Sequence, residues 1–329
     1  MNRRFLILTI VSLAAVSAAA QAQRTPPPKT PWGDPDLQGT WTSDDYIGVP
    51  LQRNPQFGTR LFATEDEIAQ SDARLKNQAQ NDRQEFVAPD GQVTTGPPAH
   101  WGERARRPPK QTSLVVDPPD GRIPAFTPEA QSRRQGVGAG NANPRPASWQ
   151  DFSYYIRCIT RGVAGSILPV IYGNGAQVVQ SPGYVMILHE MVHEARVIPL
   201  TAKPHVGSGI RSYMGDSRGR WEGNSLVVET TNFLPGTTGM GLNGGGTPTS
   251  DALKLTERFT RMDANTIQYE LTVDDPKTYV RPWKVSFPMT QEPGYQNFEY
   301  ACHEGNYAMR NQLSAARADE AAEAAKKSK

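Results

Sequence analysis

Apolar and polar residues alternate along the C-terminal half of the chain, and this alternation restricts the possible folds more than any other feature. Between residues 266 and 273, Ile267, Tyr269, Leu271 and Val273 are separated by single polar residues, which is the period of a half-buried β-strand. Similar short segments occur on both sides of it, at residues 170–172, 177–180, 184–200, 210–214, 224–231, 253–261 and 279–287.

Short strands at this spacing, with no helical pattern between them, predict an antiparallel meander. The fold class is therefore mainly β, a meander that curls into a calycin- or lipocalin-like barrel. Two of its turns are predicted from composition, Gly173-Asn174-Gly175 and residues 215–220 (GDSRGR). The first turn would join 170–172 to 177–180 in a hairpin, and the second would join 210–214 to 224–231.

The N-terminal half predicts long loops and a peripheral helix. Thr64 and Glu67 have the spacing of a capping box, which predicts a helix from there to about Gln84. The apolar stripe of this helix is narrow, so the helix should lie on the surface. Shorter predicted elements are a strand at 36–42 that buries Trp41, a strand at 114–116, a short helix starting at 127–129 and a helical tail after Asn311.

The first 22 residues have the pattern of a signal peptide. Arg3 and Arg4 precede an apolar run over residues 5–16, and Ala20-Gln21-Ala22 is a small-residue cleavage site. The run is shorter than the roughly 20 apolar residues that cross a bilayer. The sequence therefore predicts a periplasmic or secreted protein that begins near Gln23, with no stable membrane insertion after the signal is removed.

The charge balance argues against nucleic acid as a partner. Lys and Arg together number 35 and Asp and Glu 33, and removal of the signal peptide takes away two arginines. The mature chain is then neutral, whereas nucleic-acid binding usually needs a basic surface. The expected partner is a small-molecule ligand or substrate.

The sequence contains only two cysteines, Cys158 and Cys302. This number excludes a disulfide-dense small scaffold and a zinc site of four thiolates. In the oxidising compartment that export implies, the simplest prediction is that the two cysteines pair. A nucleophilic Cys302 beside His303 is the alternative, but exported thiols are usually oxidised, and neighbours in sequence need not be partners in space.

Several motifs together resemble a large, uncharacterised family of exported bacterial proteins. They include residues 31–41 (PWGDPDLQGTW), 215–228 (GDSRGRWEGNSLVV) and 300–307 (YACHEGNY). The resemblance spans nearly the whole mature chain and carries over no catalytic assignment. It implies one unit, which divides into a Pro-rich lead (23–35), a single β-rich domain (36–310; loop-rich to 168 and strand-rich from 169) and a helical tail (311–329).

Residues 189–193 match the zinc motif H-E-x-x-H. On a helix, His189 and His193 would share a face and bind zinc, and Glu190 would activate water. The flanking prolines and the β-branched composition instead predict a strand. No third histidine follows at the extended spacing, because Pro199 stands there. The sequence therefore predicts a protein without a cofactor. The alternative is a zinc-dependent hydrolase in which His189 and His193 bind the metal.

Five polar residues form the predicted active centre: His193, His303, Glu304, Arg196 and Asp216. Histidine exchanges protons near neutral pH, and arginine stays charged and can stabilise negative charge. The predicted ligand-binding residues are Trp221, Tyr269, Trp283, Tyr300 and Arg218.

Two functions are compatible with these residues. The first is an exported enzyme, a lyase, isomerase or hydrolase, that uses His, Glu and Arg on a small organic or carbohydrate-like substrate. The second is an exported binding or carrier protein with a ligand in a barrel cavity. Convergence of the five predicted catalytic residues in one pocket would favour the enzyme, and their dispersal would favour binding.

Overall fold

The computed structural model describes residues 28–81, 104–136, 146–236, 239–242, 245–246, 249–292 and 294–327. Within these residues, ten strands belong to one sheet: β1 Gly39–Thr42, β2 Val115–Asp117, β3 Ala176–Ser181, β4 Tyr184–His189, β5 Ala195–Pro199, β6 Asp216–Glu222, β7 Ser225–Thr231, β8 Lys254–Arg261, β9 Thr266–Asp274 and β10 Trp283–Gln291. The predicted signal peptide and residues 23–27 lie outside the described residues.

Nine of the strands form a continuous, nearly closed barrel. Their order is β5-β4-β3-β1-β10-β9-β8-β7-β6, every neighbouring pair is antiparallel, and β2 adds to β10 beside this path. The two ends of the path meet at a parallel bridge between Leu200 and Gly219. The predicted mainly β, calycin-like barrel is therefore confirmed.

The junction between β5 and β6 depends on the absence of a side chain at Gly219. A Cβ atom built on Gly219 would lie 2.8 Å from Cδ2 of Leu200 and 3.0 Å from Cγ2 of Ile198. These separations are shorter than ordinary van der Waals contacts, so glycine allows the two edge strands to approach each other.

Alternate residues of the long strands fill the barrel interior. On β9, Ile267, Tyr269, Leu271 and Val273 are all 1 % exposed or less, as their spacing predicts. The ring of Tyr269 lies between those of Phe259 and Phe287, with centroid distances of 5.0 and 5.4 Å. Burial of each such side chain contributes roughly 1.5–3 kcal/mol, so the aromatic interior is a major source of stability.

Four α-helices accompany the sheet in the described part of the chain: α1 Glu65–Asn81, α2 Pro128–Gly136, α3 Gly162–Ile167 and α4 Ala308–Lys327. The predicted capping box precedes α1: the Thr64 amide donates to the Glu67 carboxylate (2.8 Å), and the Glu67 amide donates to Oγ1 of Thr64 (3.3 Å). No side chain of α1 is buried, in agreement with a peripheral helix. The predicted extension of α1 from residue 82 to 84 lies outside the described residues.

The short helix α3 is not predicted from the sequence. All six of its residues are buried, and it contributes Val163, Ala164 and Ile167 to the same hydrophobic core as the barrel strands. None of the helices in the described residues is long and apolar enough to cross a bilayer.

The predicted hairpin over residues 170–180 is wrong in its first strand. The Asn174 side chain accepts a hydrogen bond from the Val170 amide (3.0 Å) and donates one to the Val170 carbonyl (2.7 Å). These bonds occupy the backbone groups that a strand would use. The actual hairpin pairs β3 with β4.

The predicted turn at 215–220 is also wrong, because residues 216–222 form β6. Ser212, in the predicted strand 210–214, has only an isolated bridge to Phe233. The turn lies between β6 and β7, where Gly223 has a φ of 60°. The last strand, β10, begins at Trp283 rather than at the predicted residue 279.

Candidate functional site

The predicted disulfide joins Cys158 and Cys302, whose Cα atoms are 5.6 Å apart. It links the segment that precedes α3 to the C-terminal segment, which we define as residues 295–307. Further contacts hold this segment at the barrel: Nδ2 of Asn306 donates to the carbonyl of Ile156 (2.9 Å), and the hydroxyl of Tyr295 donates to the Glu190 carboxylate.

The H-E-x-x-H residues lie on neither a helix nor a continuous strand. His189 ends β4, and residues 191–193 form a 3-10 turn in which Val192 has a φ of 63°. The prediction of one strand from His189 to His193 is therefore wrong, since the chain turns here to begin β5. His189 is buried and His193 is exposed, so the two rings do not share the helix face that a zinc protease needs.

No group of three or more His, Cys, Asp and Glu side chains suited to a metal ion occurs within the described residues. The residues of the H-E-x-x-H motif are thus not arranged to bind zinc as the alternative, a zinc-dependent hydrolase, requires.

The predicted catalytic residues fall into three separate places. His193, His303 and Glu304 are exposed, and Nδ1 of His193 lies 3.3 Å from the carbonyl oxygen of Tyr300. His193 therefore lies beside the C-terminal segment that carries His303 and Glu304. Arg196 and Asp216 lie elsewhere.

Arg196 points into the barrel, where Glu257 holds its two terminal nitrogens, while its Nε has no hydrogen-bond partner among the described residues. Its Nη1 and Nη2 donate to the two carboxylate oxygens at 2.6 and 2.9 Å, and the hydroxyl of Tyr269 donates to the same carboxylate at 3.1 Å. Burial alone would lower the pKa of Arg196, but the charge and hydrogen bonds of Glu257 outweigh it, and the pKa is raised. This arginine is committed to an internal ion pair.

Asp216 lies at the start of β6 and fixes the loop between β5 and β6. It accepts hydrogen bonds from Arg218 (2.7 Å) and from the Val206 amide (3.2 Å), and its Oδ2 is 2.8 Å from Nδ1 of His205. Nε2 of His205 also lies 3.4 Å from the Glu229 carboxylate. Asp216 and the predicted ligand-binding residue Arg218 are thus paired with each other.

The predicted aromatic ligand-binding residues do not line one pocket. Tyr269 and Trp283 belong to the hydrophobic core, at 0 % and 1 % exposure, whereas Tyr300 is 38 % exposed. Trp221 is half-buried and packs against the core from β6. Tyr300 stacks on the ring of Tyr172, and its carbonyl oxygen lies beside His193.

Arg161 is the residue that the sequence analysis missed. It immediately precedes α3 and is 1 % exposed, and its Nε and Nη1 have no hydrogen-bond partner among the described residues. Its guanidinium carbon lies 4.9 Å from the ring centroid of Tyr155 and 5.9 Å from that of Tyr172. One sequence signal could have drawn attention to it: residues 162–189, which follow it, contain no Asp, Glu, Lys or Arg.

His189 is another buried polar residue whose side chain has no hydrogen-bond partner among the described residues. Its side chain is 1 % exposed, and neither ring nitrogen forms a hydrogen bond within the part of the chain that the structure describes. Burial, together with the charges of Arg196 and Arg161, lowers the pKa of His189 to about 3. The imidazole is therefore neutral at physiological pH, with one nitrogen able to donate and the other to accept.

Glu194, at the start of β5, is the remaining carboxylate in this region. Oγ1 of Thr160 donates to it at 2.7 Å. Burial raises the pKa of Glu194, although this hydrogen bond and the charge of Arg196 oppose the shift. Glu194 forms no ion pair with Arg161, so the buried guanidinium has no carboxylate partner in the described residues.

Fold and site together define an antiparallel β-barrel protein in which, among the described residues, a buried guanidinium near the turn from β4 to β5 has no carboxylate partner. Comparison with protein-family models, with curated proteins and with solved structures finds no match to this chain.

Proposed function

We propose that this protein binds a small anionic molecule at the end of the barrel where β4 turns into β5, with Arg161 as the main contact. The observation that carries the proposal is the buried guanidinium of Arg161, whose Nε and Nη1 have no hydrogen-bond partner and which has no carboxylate partner within the described residues. An isolated buried charge costs several kcal/mol unless a counter-charge offsets it. An anionic ligand would supply that counter-charge.

His189 supports the same site. Burial and the charges of Arg196 and Arg161 lower the pKa of His189, and its neutral ring offers one hydrogen-bond donor that no group in the described part of the chain uses. Buried polar groups are rarely left unsatisfied in native proteins. A ligand with acceptor oxygens would satisfy both Arg161 and His189.

The dispersal of the predicted catalytic residues favours binding over the acid–base enzyme. Arg196 is held by Glu257 and Asp216 by His205 and Arg218, so neither is free to act with His193 or His303. The apolar run and cleavage motif of residues 1–22 favour export, so the proposed binding takes place in the periplasm or outside the cell.

The test is isothermal titration calorimetry of the mature protein with sodium acetate, sodium benzoate and inorganic phosphate in low-chloride buffer. We expect at least one of these anions to bind and Arg161→Gln to weaken that binding at least tenfold. The control is Arg220→Gln, since the side chain of Arg220 is 57 % exposed in an ion pair with Glu222. Failure of all three anions to bind, or equal binding by Arg161→Gln, would overturn the proposal.

A second variant separates a binding role from a structural one. Arg161→Met removes the uncompensated charge and keeps much of the side-chain volume, so we expect the ligand-free variant to melt at or above the temperature of the wild type. Marked destabilisation by Arg161→Met would show that Arg161 holds the fold together and would count against a ligand site.

A further inference from the structure

We infer that the ligand is an aromatic carboxylate, which specifies the chemical class of the anion in the proposed function and rests on it. The inference comes from the surroundings of Arg161. Three tyrosines, Tyr155, Tyr172 and Tyr300, lead from the buried guanidinium to the protein surface.

The three rings form a continuous aromatic path. Tyr155 and Tyr172 are half-buried, both lie beside the guanidinium of Arg161, and their hydroxyl groups are 2.8 Å apart. The ring of Tyr172 stacks on that of Tyr300 at a centroid distance of 6.2 Å and an angle of 18°. Tyr300 is 38 % exposed, so the path reaches solvent.

The charge of the site fits a monoanion. Arg196 is neutralised by Glu257, and the Glu194 carboxylate accepts a hydrogen bond from Oγ1 of Thr160 and forms no ion pair with Arg161. Within the described part of the chain, no carboxylate compensates the positive charge of Arg161, which lies near the neutral His189. A carboxylate balances one guanidinium and matches its planar donors, whereas a phosphate dianion would leave a buried negative charge.

The surroundings fit a ligand with an aromatic body. Tyrosine faces favour offset stacking or edge contacts with another ring, and α3, which begins beside Arg161, is buried and apolar. A ligand whose ring contacts Tyr172 and Tyr300 and whose carboxylate reaches Arg161 would use both features. A short aliphatic acid would leave the tyrosine path unused.

The disulfide acts as a positioning element for this path. Cys158 lies between Tyr155 and Arg161 in the chain, and Cys302 is two residues beyond Tyr300. The bond therefore keeps the C-terminal segment, with Tyr300, against the segment that carries Tyr155 and Arg161.

The experiment compares three probes by isothermal titration calorimetry: sodium benzoate, sodium cyclohexanecarboxylate and inorganic phosphate. Benzoate and cyclohexanecarboxylate have the same charge and a similar size but differ in aromaticity. We expect benzoate to bind at least tenfold more tightly than either of the others. Binding of cyclohexanecarboxylate or phosphate as tight as that of benzoate would overturn this inference and leave anion binding intact, whereas no binding by any anion would overturn the proposed function itself.

Variants test the tyrosine path. Tyr172→Leu and Tyr300→Leu should abolish the preference for benzoate, whereas Tyr172→Phe, which keeps the ring and loses the hydroxyl group, should retain it. Tyr307→Leu is the matched control, since Tyr307 lies in the same C-terminal segment and is 61 % exposed. An unchanged benzoate preference in both Tyr172→Leu and Tyr300→Leu would contradict a role for the path.

Discussion

Arg196 and Glu257 form an ion pair in the barrel interior, and neither charge can be removed alone without leaving the other buried. Their side chains are 3 % and 0 % exposed. Loss of one partner of such a pair typically costs about 3–5 kcal/mol. We therefore expect Arg196→Met to lower the free energy of unfolding by that amount in urea denaturation, because only Tyr269 would remain to stabilise the Glu257 carboxylate.

Two controls distinguish this cost from loss of packing. The double variant Arg196→Met with Glu257→Met removes both charges and should lose less stability than Arg196→Met alone. Arg220→Met, which breaks an exposed pair with Glu222, should cost at most about 1 kcal/mol. A loss of unfolding free energy below about 1 kcal/mol for Arg196→Met would contradict a strong dependence of the buried Glu257 on Arg196.

His189 should make the ligand-free protein less stable in acid. The pKa of His189 is lowered to about 3 in the folded protein, against about 6.5 in an unfolded chain. As the pH falls from about 6.5 towards 3, the unfolded state therefore binds a proton that the folded state does not. Stability should fall over this range by up to about 1.4 kcal/mol per pH unit from this residue alone.

The measurement is the free energy of unfolding in urea at several pH values between 7 and 4, for the wild type and for His189→Leu. Carboxyl groups titrate in both proteins, so the difference between the two curves gives the contribution of His189. The wild type should lose stability more steeply than His189→Leu as the pH falls. Parallel curves would contradict a neutral, buried His189.

At the scale of elements, β6 illustrates why periodicity in the sequence is not always sufficient to predict a strand. The strand does alternate, but two of its inward residues are Ser217 and Gly219 rather than large apolar side chains. The Ser217 hydroxyl is satisfied by that of Thr230 at 2.9 Å, and Gly219 allows the close approach of β5. Both requirements come from the neighbouring strands β7 and β5, so a polar, glycine-containing segment resembles a turn until the contacts of these strands are known.

The junction at Gly219 leads to a test of barrel closure. Gly219→Val would place side-chain atoms against Leu200 and Ile198, and such overpacking typically costs about 1–3 kcal/mol. Urea denaturation should show this loss. Gly209→Val is the matched control, since a Cβ atom built on Gly209 meets nothing within 4 Å; equal stability of the two variants would contradict a tight junction.

Local signals in the sequence predict local structure well. The Thr64–Glu67 capping box, the alternation in β9 and the helical tail are each encoded within a few residues. The site is different, because the surroundings of Arg161 are formed by α3, by His189 and by the rings of Tyr155 and Tyr172 once the chain has folded. An arginine in a sequence is usually a solvated surface residue, and only the fold reveals that this one is buried.

At the scale of the whole molecule, the disulfide connects parts of the chain that are 144 residues apart. The cysteine count and the inferred compartment are enough to predict the bond. They do not predict which elements of the fold the bond brings together. Through it, the C-terminal segment is fixed beside the turn between β4 and β5, where His193 contacts the Tyr300 carbonyl. The bond therefore couples the last part of the barrel domain to the proposed site.

Because the disulfide closes a long loop, we expect it to contribute strongly to the stability of the fold. In the chain-entropy model, a cross-link across 144 residues restricts the unfolded chain and stabilises the fold by about 4–5 kcal/mol. We expect the Cys158→Ala and Cys302→Ala double variant to lose this amount in urea denaturation. Its near-ultraviolet circular dichroism should nevertheless resemble that of the wild type, since hydrogen bonds such as that from Asn306 to Ile156 still hold the C-terminal segment. A loss of unfolding free energy below about 1 kcal/mol would contradict the entropic argument. If the double variant instead loses both stability and the native circular dichroism spectrum, the bond acts mainly on the folded state.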